Sequence, residues 1–302
     1  MADSDRQRLL AYGALGLGVL SLGLAPIFVR WADAPGPVTS FYRLAIVAVL
    51  LAVPFFRRAK VRGGLPRQGV LLALLGGLFF AGDLGFWSSG VMLSGATNPT
   101  LMLNTAPLWV GLGAMLLFRE RLGPLFWFGL ILAVTGAMTI LGLDRAHSVT
   151  LGLGTSLGLV GGIFHAAYFM TTQLGRKSLD SLSYFWLATC TSAIGLLVTS
   201  LVLRQPLTGY PPQAYLSFLA LALVSQILGH FSINYALGYL PASLVAPTLL
   251  GQPVVAAILA GPLLGEHLTI WQILGGMAVL AGVLAVHRSQ REQRLSQRHV
   301  AS

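Results

Sequence analysis

The sequence predicts an all-α polytopic membrane protein of ten transmembrane helices, arranged as two inverted five-helix repeats. Three observations lead there. Of 302 residues, 55% are hydrophobic and only 9% charged, with a mean hydropathy of +0.77; a soluble domain carries about 25% charged residues. Apolar runs of bilayer-crossing length recur along the whole chain. One long segment also occurs twice.

The repeat is the most specific of the three, and self-similarity of this kind governs every later inference. The stretch ATNPTLMLNTAPLWVGLGAMLLFRERLGPLFWFGLILAVTG at 96–136 returns 146 residues later. Without a gap, Ala96 falls on Ala242, Pro107 on Pro253, Ala114 on Ala260 and Glu120 on Glu266. Leu122 then falls on Leu268, Gly129 on Gly275 and Gly136 on Gly282. A shared Pro, a shared Glu and two shared Gly at one offset exceed what apolar composition produces. The chain reads as a duplication, with repeats at 8–143 and 151–287 and a basic cytoplasmic tail at 288–302.

A hydrocarbon core about 30 Å thick needs about 20 apolar residues per helix. By that measure the first repeat crosses at 8–29, 37–56, 69–91, 97–118 and 123–143. The second crosses at 151–173, 181–203, 213–237, 242–264 and 269–287. Arg6 and Arg8 ahead of Leu9 look like the start of a signal peptide, but LAPIFVRW at 24–31 offers no small-x-small cleavage site. The first run is therefore expected to stay as an uncleaved span.

In a soluble chain, a net charge of +10 and a pI near 10.5 would point to nucleic acid. Here the basic residues instead report topology. With the N-terminus inside, the inner segments collect Arg6, Arg8, Arg57, Arg58, Lys60, Arg62, Arg67, Arg119, Arg121, Arg176, Lys177, Arg288, Arg291, Arg294 and Arg298. That is fifteen of nineteen, against Arg30, Arg145 and Arg204 outside, with Arg43 inside a span. Both termini are expected in the cytoplasm of a bacterial inner membrane. Five spans per repeat force the second copy to enter the membrane upside down. RERL at 119–122 then faces the cytoplasm and its echo GEHL at 265–268 faces outward. Inverted repeats recur in secondary transporters, with the substrate site near the midplane between halves.

Gly154, Gly158 and Gly162 form two consecutive GxxxG spacings, and Gly261 and Gly265 another, which predicts close backbone packing. Residues 154–158, GTSLG, also match the GxSxG pattern of a nucleophilic serine. That motif requires a strand–turn–helix setting, and here it opens a membrane helix. Cys190 is the only cysteine, which excludes disulfides, thiolate metal sites and iron–sulfur clusters. No Walker A pattern is present, so ATP is not the direct energy source.

Small-residue entry, a mid-helix proline, LLFRERL or LLGEHL, and a Gly-rich final helix together resemble the EamA module of the drug/metabolite transporter superfamily. The resemblance spans nearly the whole chain as two tandem modules, and PIFVRWADAPGPVTSFYRL at 26–44 is similar to the first-to-second-span junction of these exporters. Among them the chain looks most similar to YddG-type exporters of aromatic amino acids. This implies a ten-helix exporter whose inverted halves enclose a central cavity.

Ionisable residues deep in a span cost roughly 2.5–3.5 kcal/mol on insertion scales and usually face a cavity or a partner. Asp83, in FFAGDLGFW, is the only acidic residue within a span core, and Arg43 sits in the second span beside Tyr42. Two readings of Asp83 stand. It is a counter-charge for a substrate ammonium or a proton-coupling carboxylate, or else it pairs structurally with Arg43 or with a His or Asn of a neighbouring helix. Gln226, His230 and Asn234 are spaced i, i+4, i+8 and share one helix face, which is expected to line the interior. His165 is read equally as a cavity residue or a satisfied packing histidine. Asn104 and Gln252 precede Pro107 and Pro253. They either contact substrate or repair the carbonyls that a proline frees one turn earlier. Phe80 and Trp87 share the face of Asp83, and Tyr168 follows His165 by one turn, which suits an amphipathic substrate through stacking and cation–π contact. Apolar packing is the competing reading for each. Trp31, Trp127 and Trp271 are expected as interface anchors, and Glu120 and Glu266 as helix caps or partners of Arg119 and Arg121.

The histidines and carboxylates show no HxxxH or HExxH spacing, so no metal is expected, nor any cofactor, catalytic residue or nucleic acid. The function these residues suggest is non-ATP export of small amphipathic metabolites, most of all aromatic and large apolar amino acids. Another substrate class of the same superfamily is the alternative. An intramembrane enzyme built on Ser156 and a scaffold subunit are the competitors from other classes.

Overall fold

A computed structural model describes residues 3–62, 64–94, 97–142, 152–264 and 267–301, and among these every crossing is helical. The first crossing is α1 (Asp3–Gly23) with α2 (Ala25–Ala32), followed by α3 (Gly36–Arg62) and α4 (Arg67–Ser94). The fourth is divided into α5 (Thr97–Leu103) and α6 (Ala106–Leu117), and α7 (Pro124–Ile140) completes the first half. The second half opens with α8 (Leu153–Gly175) and α9 (Ser181–Val202). Its third crossing joins α10 (Pro212–Ala220), a π-helical stretch (Leu221–His230) and α11 (Phe231–Ala236). Its fourth is α12 (Ala242–Thr248), a 3₁₀ turn (Leu249–Gly251) and α13 (Gln252–Leu264), before α14 (Ile270–Ala301). Among the described residues, nine crossings are long and apolar enough to span a bilayer, and α7, with 17 residues, is the short tenth. α14 runs on past 287, so the expected tail continues the last helix. Ala96, Arg145, Gly265 and Glu266 lie outside the described residues.

The inversion is written in four glycines. A Cβ added to Gly129 would lie 2.7 Å from the carbonyl oxygen of Gly282, and one on Gly136 would lie 2.6 Å from that of Gly275. In the repeat, however, Gly129 corresponds to Gly275 and Gly136 to Gly282. Each glycine thus meets the counterpart of the other, which requires α7 and α14 to run antiparallel about a two-fold axis. Parallel copies would set Gly129 beside Gly275. The remaining neighbours obey the same symmetry: α3 lies on its counterpart α9, and α4 lies on α8 as 221–236 lies on α1.

Gly158 and Gly162 seat α5 against α8. Cβ atoms there would collide with the backbone of Pro99 and approach the Met102 carbonyl to 3.1 Å. Side chains cannot fit where backbones meet this closely. The neighbouring Ser156 is exposed on the first turn of α8, and its hydroxyl donates to the Gly152 carbonyl at 3.2 Å. It sits on a helix, not on a strand–turn–helix elbow.

Both fourth crossings break at equivalent places, between Leu103 and Ala106 and across Leu249–Gly251. Pro107 and Pro253 explain this, because each lacks an N–H and its ring displaces the carbonyl four residues back. At the first break Asn104 donates Nδ2 to the Thr100 carbonyl at 2.8 Å, which also accepts its backbone N–H, so the side chain does not reach the Leu103 carbonyl that Pro107 displaces. Discontinuous helices at matching positions in two inverted halves are the usual surroundings of a midplane site.

Lipid-facing surface is evident in Val49, Leu116 and Val202, which stay 74%, 80% and 73% exposed on outer helix faces. At the end of the bundle that carries residues 3 and 301, here the terminal face, Glu120–Ser243 and Lys177–Phe118 contacts cross between the halves, and further polar contacts tie the second half to itself. Ser243 Oγ donates to Glu120 Oε2 at 2.5 Å, and Gln290 Nε2 donates to Ser243 Oγ at 3.1 Å. The Ala242 N–H donates to Gln173 Oε1 at 2.7 Å, and Lys177 Nζ lies 5.8 Å above the Phe118 ring. Glu120 therefore neither caps α7 nor pairs with a neighbouring arginine; it reaches across to the second half. Trp127 likewise packs inward, 3.2 Å from a Cβ placed on Gly111, while Trp31 and Trp271 are exposed.

Two outcomes follow from this packing. Overpacking a backbone contact costs up to about 3 kcal/mol, so Gly136→Leu should lower the melting temperature of the purified protein clearly. Gly13→Leu, placed where nothing lies within 4 Å, should not. Equal melting of the two variants would refute the antiparallel glycine contact. Burial raises the Glu120 carboxyl above its ordinary pKa against the lowering by hydrogen bonds from Ser243 and Gln290. The folded state therefore favours the protonated acid, and this stability is lost as pH rises through the raised value. Glu120→Gln should melt no lower than the parent at pH 7 and above, whereas Glu120→Ala should melt lower throughout. A parent that gains on the Gln variant as pH rises would contradict the sign.

Candidate functional site

Six of the side chains singled out in the sequence converge between the halves. Asp83 on α4 is 1% exposed, and its Oδ2 lies 2.6 Å from Nδ1 of His165 on α8. The contact is an ion pair with the imidazolium and an N–H···O bond with the neutral ring. It joins the first half to the second. Arg43 on α3 is buried and interacts electrostatically with Asp83 and Tyr168, and also with His230. Phe80, one turn before Asp83, stacks on Tyr168 with ring centroids 4.6 Å apart and lies 5.0 Å from the His230 ring. The ring of Phe169 closes on His165 at 4.4 Å.

The stripe of Gln226, His230 and Asn234 is buried along its length. Its first two members lie on the π-helical stretch, where the N–H of Phe231 bonds the Gln226 carbonyl five residues back. Such winding is rare, and it concentrates at functional sites. Ser225, on the same stretch, is a buried polar residue that pattern reasoning missed, because serine is unremarkable in a span and falls off the four-residue stripe.

What distinguishes this cluster is its unused hydrogen-bonding capacity. Arg43 Nε, Asp83 Oδ1, Ser225 Oγ, Gln226 Oε1, His230 Nδ1 and both amide atoms of Asn234 are buried with no protein partner. Leaving such a group unpaired costs about 1–3 kcal/mol, and more for a charged one. Several such groups in one region call for an explanation, such as ordered water, an ion, a ligand or stored strain. The region offers a cation, an anion, neutral donors and acceptors, and an aromatic wall of Phe80 and Tyr168. These features are complementary to a small dipolar molecule with an apolar side.

Other candidates stand apart. Tyr42 stacks on Phe218 with centroids 4.8 Å apart and donates to the Leu207 carbonyl at 2.7 Å, at the face opposite the termini. Trp87 Nε1 donates to Thr100 Oγ1 at 3.0 Å within the first half. Asn104 serves its own helix, and Gln252 is half-buried at the start of α13. Among the described residues, His, Cys, Asp and Glu form no group of three that could hold a metal ion.

The chain is similar to known transporters along most of its length. The EamA-like transporter family matches residues 9–142 and 152–288. The uncharacterized transporter YdfC of Bacillus subtilis (strain 168) is 23% identical over 214 residues, covering 68% of this chain and 69% of that protein. An uncharacterized transporter of Archaeoglobus fulgidus is 25% identical over 284 residues, covering 93% of this chain and 98% of its own. A chain of known crystal structure superposes with a TM-score of 0.72 at 16% identity, over 93% of this chain and 97% of its own, and shows the same fold. With both halves matched, the protein belongs to the EamA-like transporter family.

Proposed function

We propose that the protein is a secondary exporter of small amphipathic metabolites, chiefly amino acids with aromatic or large apolar side chains, resembling YddG-type exporters. The observation that carries this reading is the buried set of unpaired polar atoms around Arg43 and Asp83, walled by Phe80 and Tyr168. A zwitterionic substrate places its carboxylate at Arg43 and its ammonium at Asp83, and its side chain against the aromatic wall. Gln226 and Asn234 supply neutral hydrogen bonds. The two inverted halves rock about this site, opening it to each side in turn.

The Asp83–His165 contact supports proton coupling as part of the same cycle. A substrate ammonium competes with His165 for the carboxylate, so binding and proton occupancy are linked. Arg43 is not free to replace His165 without abandoning the substrate carboxylate.

Counterflow in proteoliposomes, with a panel of amino acids and with or without a pH gradient, tests both parts. Phenylalanine or tryptophan is expected to exchange, and Asp83→Asn should reduce exchange tenfold or more, the equivalent of about 1.4 kcal/mol. Failure of every amino acid would end the substrate reading. Parental rates in Asp83→Asn would end the site reading, and indifference to the gradient would end proton coupling.

The same proposal places both termini in the cytoplasm of a bacterial inner membrane, on the strength of the basic residues gathered on the terminal face. A cysteine introduced at Ser302 should resist an impermeant thiol reagent in intact cells and react in inverted vesicles. The reverse pattern would invert the topology.

A further inference from the structure

We infer that the terminal face carries a binding site for one anionic phospholipid, seated between the first and last helices. A cleft of about 1010 Å³ opens there between α1, α12 and α14, and a smaller one of about 370 Å³ adjoins it across Leu284 and Arg288. The larger cleft is graded from charged to apolar. Arg8, Arg288 and Arg291 stand at its rim. One helical turn deeper come Tyr12 after Arg8 and Leu284 before Arg288, as the opposite directions of α1 and α14 require. The rings of Tyr12 and His287 lie 6.0 Å apart in its floor, where His287 Nε2 is fixed 2.8 Å from Thr248 Oγ1. Leu284 is 70% exposed and Leu9 64%, so the apolar walls continue outward to the bilayer.

Charge selects the occupant. Glu292 is engaged with Arg288 at 3.1 Å, and Asp5 is the remaining acid of the rim against Arg8 and Arg291. Three arginines against two carboxylates leave one positive charge, which matches one phosphodiester. Basic pockets between membrane helices hold anionic headgroups in this way. A soluble anion would use the rim and leave the apolar walls idle. A zwitterionic lipid would fit the walls and bring no net charge to the rim. Phosphatidylglycerol satisfies both. Seated there, it bridges α1 of the first half to α12 and α14 of the second, beside the Glu120–Ser243–Gln290 contacts.

Native mass spectrometry and thermal melting of the full-length detergent-purified protein test this without any transport assay. Phosphatidylglycerol should be retained and should raise the melting temperature, and phosphatidylcholine with identical acyl chains should do neither. Arg8→Ala combined with Arg291→Ala should weaken retention about thirtyfold, equivalent to about 2 kcal/mol for two surface charges. The corresponding double Lys variant should keep most of the binding, and Arg204→Ala, on the opposite face, should keep all of it. Equal retention of both lipids, an unaltered double Ala variant, or equal stabilisation by inorganic phosphate would each overturn the proposal. None of these results depends on which substrate the central site carries.

Discussion

The contact between Asp83 and His165 is the interaction on which the interior depends. A bilayer offers no water to a buried polar group, so every such group must be met by protein or by a ligand. Asp83 and Arg43 would each cost roughly 2.5–3.5 kcal/mol on insertion scales if left alone near the midplane. The 2.6 Å contact meets only one oxygen of the carboxylate. Asp83 Oδ1 and Arg43 Nε stay unmatched in the same region. The cluster thus meets some of its polar atoms within the protein and leaves others without a protein partner. That remaining capacity is the observation on which the proposed binding site rests.

The scaffold around the cluster obeys a different rule. Apolar surface gives no preference among helix contacts in lipid, so close backbone approach decides which helices meet. Gly129 against Gly282 and Gly136 against Gly275 fix α7 on α14, and the glycine stripe of α8 fixes α4 and α5. These contacts are rigid because no side chain can be repacked within them. At the proline breaks near Asn104 and Gln252, by contrast, helical hydrogen bonding is interrupted. Glycine seams and proline breaks are arranged symmetrically, as two inverted halves require.

Most of the frame could be read in the chain itself. The offset that sets Gly129 on Gly275 and Gly136 on Gly282 implied the two-fold axis before any packing was visible. Among the described residues, nine spans and the shorter α7 fall close to the apolar runs, because length and hydropathy mark most spans. The site was legible only in part. Asp83, Arg43, His165 and His230 stood out because ionisable groups are rare in spans, and Phe80 and Tyr168 followed by helical spacing. Tyr42 and Trp87 share helices with the cluster but face other neighbours, and a sequence does not encode which neighbour a face receives. The π-helical winding of Leu221–His230 has no pattern of its own in the residues. Glu120 was misassigned for a similar reason: its partner Ser243 is 123 residues away, beyond any local rule of capping or pairing.

Glu120 also explains how the terminal face is linked to the cluster. Ser243, which it holds, stands at the start of α12, and Gln173, which receives the Ala242 N–H, lies two turns beyond His165 on α8. Arg176, one turn further along, donates Nε to the Asn234 carbonyl at 3.2 Å, and so fixes the end of the polar stripe. The terminal-face contacts and the buried polar cluster are therefore carried by the same two rods, α8 and the crossing that ends at Ala236. Opening that face must release Glu120 from Ser243 or shift α8, and a shift of α8 moves His165 relative to Asp83. The buried polar cluster and the packing of this face are thus tied together through α8, as the proposed alternating access would require.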